Sequence, residues 1–355
     1  MKVGFVGLPG SGKTTLFNVV TDREIDPSNM GRAEARLAVV KVPDERVTRV
    51  AEIYGSQDLT QPEVTFVDLM ALHRGEEHTQ RDDSLTSIAG DADAFALVVQ
   101  CFGELDHRGE PLQPAEDLEA LLLEMTITDL GVVQRRLKRI AQEKKAEKDT
   151  INIERDLLER VEAHLSEGRL VRDMTLHEED ERLLRGFNLL TAKPLLVVLN
   201  VSEEDLRAQT CTGACSMAER AGLPWIPVAA GLESELAELD AETRREFLRE
   251  FDLEEPARRR LIRACYDVLD VITFFTANEN QARGWTISAG ATAHEAAGKV
   301  HSDMYEGFIR AEVIPFEKLD ELGSIAACKQ AGCVRLEGKD YLVQDGDILN
   351  IRFNR

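Results

Sequence analysis

Cysteine is scarce and unpatterned in this chain: six residues in 355, at positions 101, 211, 215, 265, 328 and 333. None forms a C-x-x-C pair, and no histidine flank supplies the spacing of a zinc site. Cys211 and Cys215 could share one helix face, but reduced thiols are the expectation for all six. Long apolar runs are missing as well. A stretch such as 195–199 is far short of the roughly 20 residues that span a bilayer. The opening MKVGFVG carries one lysine and turns directly into a strand-like run, which is not the layout of a signal peptide. Neither secretion nor membrane insertion is expected, and the cytoplasm is the expected compartment. Basic residues are outnumbered 43 to 65, for a net charge of -22. Such a surface repels phosphate backbones, which argues against sequence-specific DNA binding. Any RNA contact would need a local basic patch.

What is present reads as an α/β protein. Apolar residues make up 43% of the chain, enough for a buried core in two or three domains. Residues 2–7 read as a strand, followed by a glycine-rich turn and a helix over 13–20. Further strands are expected at 37–42, 64–68, 94–101, 195–200 and 225–228. Strands alternating with helices imply a doubly wound parallel sheet. Between 101 and 195 the texture changes. Leu130, Val133, Leu137 and Ile140 mark one apolar stripe, and Ile151, Leu158, Val161 and Leu165 a second, as in an antiparallel coiled-coil hairpin. From 271 onward, short β-like runs at 271–275, 311–314, 341–343 and 348–353 alternate with Gly and Asp turns, after a helix at 255–270. These describe a small α+β domain. The expected division is a discontinuous nucleotide domain at 1–105 and 187–268, a helical insertion at 106–186, and a C-terminal domain at 269–355.

One motif carries chemistry on its own. Gly7, Leu8, Pro9, Gly10, Ser11, Gly12, Lys13 and Thr14 fit G-x-x-x-x-G-K-[ST], between an expected strand and an expected helix. Glycines let consecutive backbone N–H groups turn inward, and the helix start adds a favourable dipole for phosphates. Lys13 is expected at the β- and γ-phosphates, Thr14 as a Mg²⁺ ligand, and Thr15 beside them. Asp68 ends the apolar strand 64–68 and is the second candidate for Mg²⁺, with turn capping as its alternative. Asn200, Val201 and Glu203 follow another apolar strand, at the end where α/β sheets hold ligands. The guanine-reading pattern N-K-x-D has Val201 in place of Lys and Glu203 in place of Asp, which should weaken guanine selection. That leaves the backbone of Ala229, Ala230, Gly231 and Leu232 to meet the base edge.

Beyond these residues the chain resembles the Obg-like ATPase family, also called the YchF family. The resemblance lies in GLPGSGKTTLFN, VVKVPDERV, the NVSE motif, VAAGLESELAEL and nearly all of 271–355, including RLEGKDYLVQDGDILNIRF. It covers essentially the whole chain. It implies a G domain, a coiled-coil insertion, a C-terminal TGS domain of ubiquitin-like fold, and hydrolysis of ATP in preference to GTP. The resemblance also places His107, seven residues before Pro114, where the family is thought to use a loop histidine to orient the attacking water. A neutral imidazole can hold a water near pH 7, although His107 could equally be an exposed loop residue. His73 is the next candidate. The chain departs from the family at the phosphate loop, which normally reads G-L-P-N-V-G-K-S-T where Gly10 and Ser11 stand here. It departs again between 21 and 37, which lacks the F-C-T-I-E-P segment, and after Asp68, with Ala71 and residues 76–81 in place of glycines.

These departures point to a slow NTPase with Mg²⁺ and ATP (or GTP) as cofactors. The resemblance implies a ribosome-associated switch, docking through the coiled coil and the TGS domain. The alternative is a nucleotide-binding module with little hydrolysis. A small-molecule kinase fits less well, since no compact Arg-bearing lid is apparent. The first helix of the expected insertion carries Arg135, Arg136, Lys138, Arg139, Lys144, Lys145 and Lys148. That run is either a solvated face or the local basic patch that the overall charge otherwise denies.

Overall fold

The computed structural model describes residues 1–21, 36–69, 90–142, 148–208, 213–237, 239–250, 253 and 255–354. The segments that depart from the family at 22–35 and 70–89, with His73, and also Lys144, Lys145 and Cys211, lie outside these described residues. So does the side chain of Lys148. The strands are β1 Lys2–Gly7, β2 Arg36–Lys41, β3 Asp58–Thr60, β4 Glu63–Asp68, β5 Ala94–Cys101, β6 Leu195–Val201 and β7 Trp225–Val228. They continue as β8 Val271–Ala277, β9 Gln281–Ser288, β10 Phe308–Pro315, β11 Arg335–Glu337 and β12 Asp347–Phe353. The chain forms two compact units.

The first unit comprises Lys2–Ala38 and Phe66–Val268. Its sheet runs β2-β4-β1-β5-β6-β7, with β1, β5, β6 and β7 pairing in parallel. β6 is buried at every position and β5 at all but Gln100. This is what near-continuous Val, Leu and Phe runs do when helices cover both faces of a parallel sheet. Helix α1, Lys13–Thr21, follows β1, and its Leu16, Phe17 and Val20 are buried in the core.

Helix α2, Pro114–Gln142, begins with proline and places Glu116 and Asp117 in its first turn, both favourable at a helix start. Its 29 residues serve two cores. Leu118, Leu121, Leu122 and Met125 join the core of the sheet. Val133 and Ile140 join a separate apolar cluster with Leu157, Leu158, Val161 and Leu165 of helix α3, Lys148–Ser166. The crossover is pinned by Asp129, which is 1% exposed. Its carboxylate accepts from the N–H of Leu190 (2.8 Å), the N–H of Thr191 (2.7 Å) and the Thr191 hydroxyl (2.6 Å). Burial raises the Asp129 pKa, and these three donors work against the rise.

The second unit comprises Met1, Val39–Thr65 and Leu269–Arg355. Residues 39–65 differ from expectation, which placed them in the nucleotide domain. The middle of this segment belongs here because β3 pairs with β9, and because Val47 and Val50 share an apolar cluster with Phe275 and Ile348, while its two ends continue β2 and β4. The sheet order is β11-β10-β12-β8-β9-β3. Alternation along β8 sends Phe274 into one cluster, with Ala293, Ala297 and Val313, and Phe275 into the other. β9 was not foreseen, and 341–343 is no strand but a single bridge between Leu342 and Thr292. One cysteine departs from expectation too: Cys215 is disulfide-bonded, whereas Cys265, Cys328 and Cys333 keep their thiols.

Candidate functional site

The turn between β1 and α1 wraps around its own lysine. Gly12 has φ of 86°, in the left-handed region, and a Cβ there would lie 2.1 Å from Nδ2 of Asn200. Only glycine satisfies both constraints. Lys13 is 8% exposed, and its Nζ donates to the carbonyls of Gly7 (3.0 Å) and Leu8 (3.4 Å). Burial pushes this ammonium down to about 8, with the neighbouring Asp68 charge opposing the shift. Such a group is a desolvated cation held at the mouth of a backbone cradle.

Thr14 and Asp68 come from the two ends of the site and meet. The Thr14 hydroxyl donates to Oδ2 of Asp68 at 3.3 Å. Burial raises the Asp68 pKa, while Lys13, Thr14 and Arg36 each pull it back. A hydroxyl and a carboxylate side by side form a hard-oxygen donor pair of the kind Mg²⁺ accepts, with phosphates and water completing its shell. Among the described residues no group of three or more His, Cys, Asp or Glu forms an all-protein metal cage. Two protein oxygens leave most of the shell to a ligand and water, so this donor pair fits a metal shared with a ligand.

The expected base residues also come together. Gly12, Thr15, Phe102, Asn200, Val201, Ser202, Glu203, Ala229, Ala230, Gly231 and Leu232 line one cleft of about 290 Å³. Within it the side chains are already engaged. Asn200 is 3% exposed; its Nδ2 donates to the Ser11 carbonyl (3.0 Å) and its Oδ1 accepts from the Ala230 N–H (3.1 Å). Its amide thus straps the phosphate loop to the 229–232 turn. The Ser202 hydroxyl donates to Asp205 and accepts from the Asp205 N–H, capping the helix Glu203–Ala208. Glu203 is exposed and sits 3.6 Å from Arg207. Val201 is buried in the core. Phe102 was not foreseen; it is the aromatic residue just past the end of β5.

His107 lies on the opposite flank of the phosphate loop, exposed at the tip of a small hairpin. It shares a second cavity, about 140 Å³, with Leu8, Pro9, Ser11, Gln100 and Asp117. The Ser11 hydroxyl is buried there without a hydrogen-bond partner. On α2, Arg136 is drawn into a two-point ion pair with Glu154 of α3 (2.7 and 2.8 Å). Arg135, Lys138 and Arg139 remain exposed at i, i+3 and i+4 spacing, which is one face of α2.

A parallel sheet, a glycine-bounded turn ending in Lys-Thr and a carboxylate on the neighbouring strand define a P-loop nucleotide-binding protein. The family comparisons agree. A 50S ribosome-binding GTPase family matches residues 2–134, and the C-terminal YchF GTPase family, described as a protein of unknown function, matches 271–354. The ribosome-binding ATPase YchF of Pasteurella multocida is 36% identical, with 99% of each chain covered. That of Bacillus subtilis is 34% identical, covering 100% of this chain and 99% of its own. The structure of the Schizosaccharomyces pombe YchF GTPase superposes with a TM-score of 0.84 at 26% identity, over 99% of this chain and 97% of that one. A GTP-binding protein from Pyrococcus horikoshii, at 19% identity and a TM-score of 0.61, shares the fold. The chain belongs to the YchF family. No helix among the described residues is long and apolar enough to cross a membrane.

Proposed function

We propose that this protein is a slow, Mg²⁺-dependent nucleoside triphosphatase that takes ATP at least as well as GTP and works in association with the ribosome. The observation that carries the reading is the desolvated Lys13, enclosed by loop carbonyls beside the Thr14–Asp68 pair. In this reading Lys13 leaves its carbonyls to meet the β- and γ-phosphates, and the loop N–H groups cradle them. Thr14 and Asp68 would hold Mg²⁺, which when bound offsets negative charge on the phosphate oxygens. Gly12, Thr15, Asn200, Val201, Glu203 and residues 229–232 would surround the base. Because Glu203 is exposed beside Arg207, base reading falls to backbone groups, which do not demand guanine. His107 would orient the attacking water.

The division into a helical insertion over 106–186 and a TGS domain over 269–355 belongs to the same proposal. It is supported by the separate apolar cluster around Val133 and Leu158 and by the family match over 271–354. Two YchF relatives are named ribosome-binding ATPases. The exposed cations Arg135, Lys138 and Arg139 supply a face that can meet RNA phosphates while the acidic remainder is repelled.

The test is phosphate release from ATP and from GTP, with and without Mg²⁺, and with no acceptor added. Slow release that requires Mg²⁺ and favours ATP is expected, with ATP displacing GTP in competition. Tight ATP binding with no release above background would leave a nucleotide-binding module. A hundredfold preference for GTP, about 2.7 kcal/mol, would defeat the reading of the base cleft.

A further inference from the structure

Gln100 is the one incompletely buried residue of β5 and the last polar side chain before the strand ends. Its Nε2 donates to the carbonyls of Phe102 and Leu105, both at 3.2 Å. Those carbonyls lie at the root of the hairpin that carries His107. The hairpin itself is braced from within. The Asp106 N–H donates to the Glu110 carbonyl (2.8 Å) and the Leu112 N–H to the Glu104 carbonyl (3.0 Å). The Asp106 carboxylate accepts from the N–H groups of Arg108 and Glu110, and these donors hold its pKa well below the usual range. The tip is therefore a stiff piece, and the hinge is at its root. There Gly103 has φ of 77° and open space around it. The seat on the other side is Gly10. A Cβ at that position would lie 3.0 Å from Cβ of His107 and 3.5 Å from Oε1 of Gln100. His107 thus rests on the phosphate loop where the family places a residue with a side chain.

We propose that Gln100 is the positioning residue for His107: its hydrogen bond to the Leu105 carbonyl reaches across Gly103 and stops the hairpin from swinging there, its bond to the Phe102 carbonyl fixes the amide, and together they keep His107 seated against Gly10. This rests on the reading of His107 given above. It adds a residue whose chemistry is only structural, two N–H donors at a fixed reach. Two variants remove those donors. Gln100→Met keeps the length of the side chain, and Gln100→Glu keeps its shape while facing a carboxylate toward two carbonyls.

Steady-state kinetics with Mg²⁺ and ATP, amide exchange over 102–112 and the NMR signals of the His107 ring are measured for each, and the kinetics are repeated in combination with His107→Ala. Loss of two modest hydrogen bonds should lower kcat about five- to tenfold while KM stays within about twofold. Exchange at 102–105 should quicken, the His107 signals should shift, and in the His107→Ala background either substitution should add nothing. Unchanged exchange and ring signals in both variants would overturn the proposal. So would an equal loss of turnover in the His107→Ala background. Wild-type turnover in His107→Ala alone would refute the role of His107, and the anchoring by Gln100 would then be decided by exchange and ring signals.

Discussion

The phosphate loop and helix α2 both offer positive charge suited to phosphate, by opposite means. The loop commits one lysine, buries it, and satisfies it with two carbonyls. The helix shows Arg135, Lys138 and Arg139 to water, where each keeps its hydration. A buried cation interacts strongly and is sensitive to pH, because desolvation has brought its pKa toward neutrality. An exposed cation interacts weakly and is screened by salt. The first arrangement suits a specific pocket for one triphosphate. The second suits an extended polyanion, in which many small contacts add.

The largest effect is expected at the buried end. Lys13→Ala should lower ATP affinity by about a hundredfold or more, since truncating a buried charge partner costs on the order of 2–5 kcal/mol. Calorimetry giving unchanged affinity would remove Lys13 from the site. The pH response follows from the same burial. In the free protein burial brings the Lys13 pKa down to about 8, and the negative charge of a bound triphosphate would raise that value. ATP affinity should therefore be level below pH 8 and fall above it, by up to about tenfold per pH unit. The stability of the free protein moves the other way. Unfolded, this lysine titrates near 10.5, so between about 8 and 10.5 the unfolded chain binds more protons, and rising pH relieves the cost of burying the charge. Binding titrations from pH 7 to 9.5 that show no decline would mean that the cation is not what holds the phosphates. Next in size, Asp68→Asn should raise the Mg²⁺ concentration for half-maximal turnover about tenfold, and an unchanged requirement would take Asp68 out of the metal site.

Much of the buried end can be read from eight consecutive residues, because a phosphate loop is a local structure whose glycines and lysine act where they stand. The central strands are legible for a similar reason: 94–101 and 195–201 are apolar enough to be buried on both faces. What escapes is the tertiary pairing of single polar side chains. Asn200 reads as a base contact, yet its amide joins Ser11 to Ala230, a link made only when β6 lies beside the loop. Gln100 reads as the polar end of a strand, and nothing in its spacing points to the carbonyls of Phe102 and Leu105. β9 hides because Gln281, Arg283 and Gly284 dilute its apolar alternation, and β3, three residues long, exists through its pairing with β9. Arg136 and Arg135 are neighbours of the same type. Only the packing of two helices separates the one paired with Glu154 from the one facing water.

That separation gives the smallest and most discriminating prediction. If the exposed face of α2 docks on ribosomal RNA, Arg135→Ala removes one phosphate contact. It should reduce the slope of log affinity against log salt by about one and weaken ribosome binding a few-fold at moderate salt. Arg136→Ala removes the same charge from the next position, but its guanidinium is occupied by Glu154 and only partly exposed. It should leave the salt slope alone and instead destabilise the two-helix insertion by about 1 kcal/mol, the worth of a partly exposed ion pair with good geometry. Co-sedimentation with ribosomes across a salt series, beside thermal unfolding of both variants, separates the two outcomes. Equal salt slopes for Arg135→Ala, Arg136→Ala and the parent would mean that this face does not meet phosphate. Equal and large losses of binding in both variants would mean that docking depends on the fold of the insertion rather than on its exposed charge.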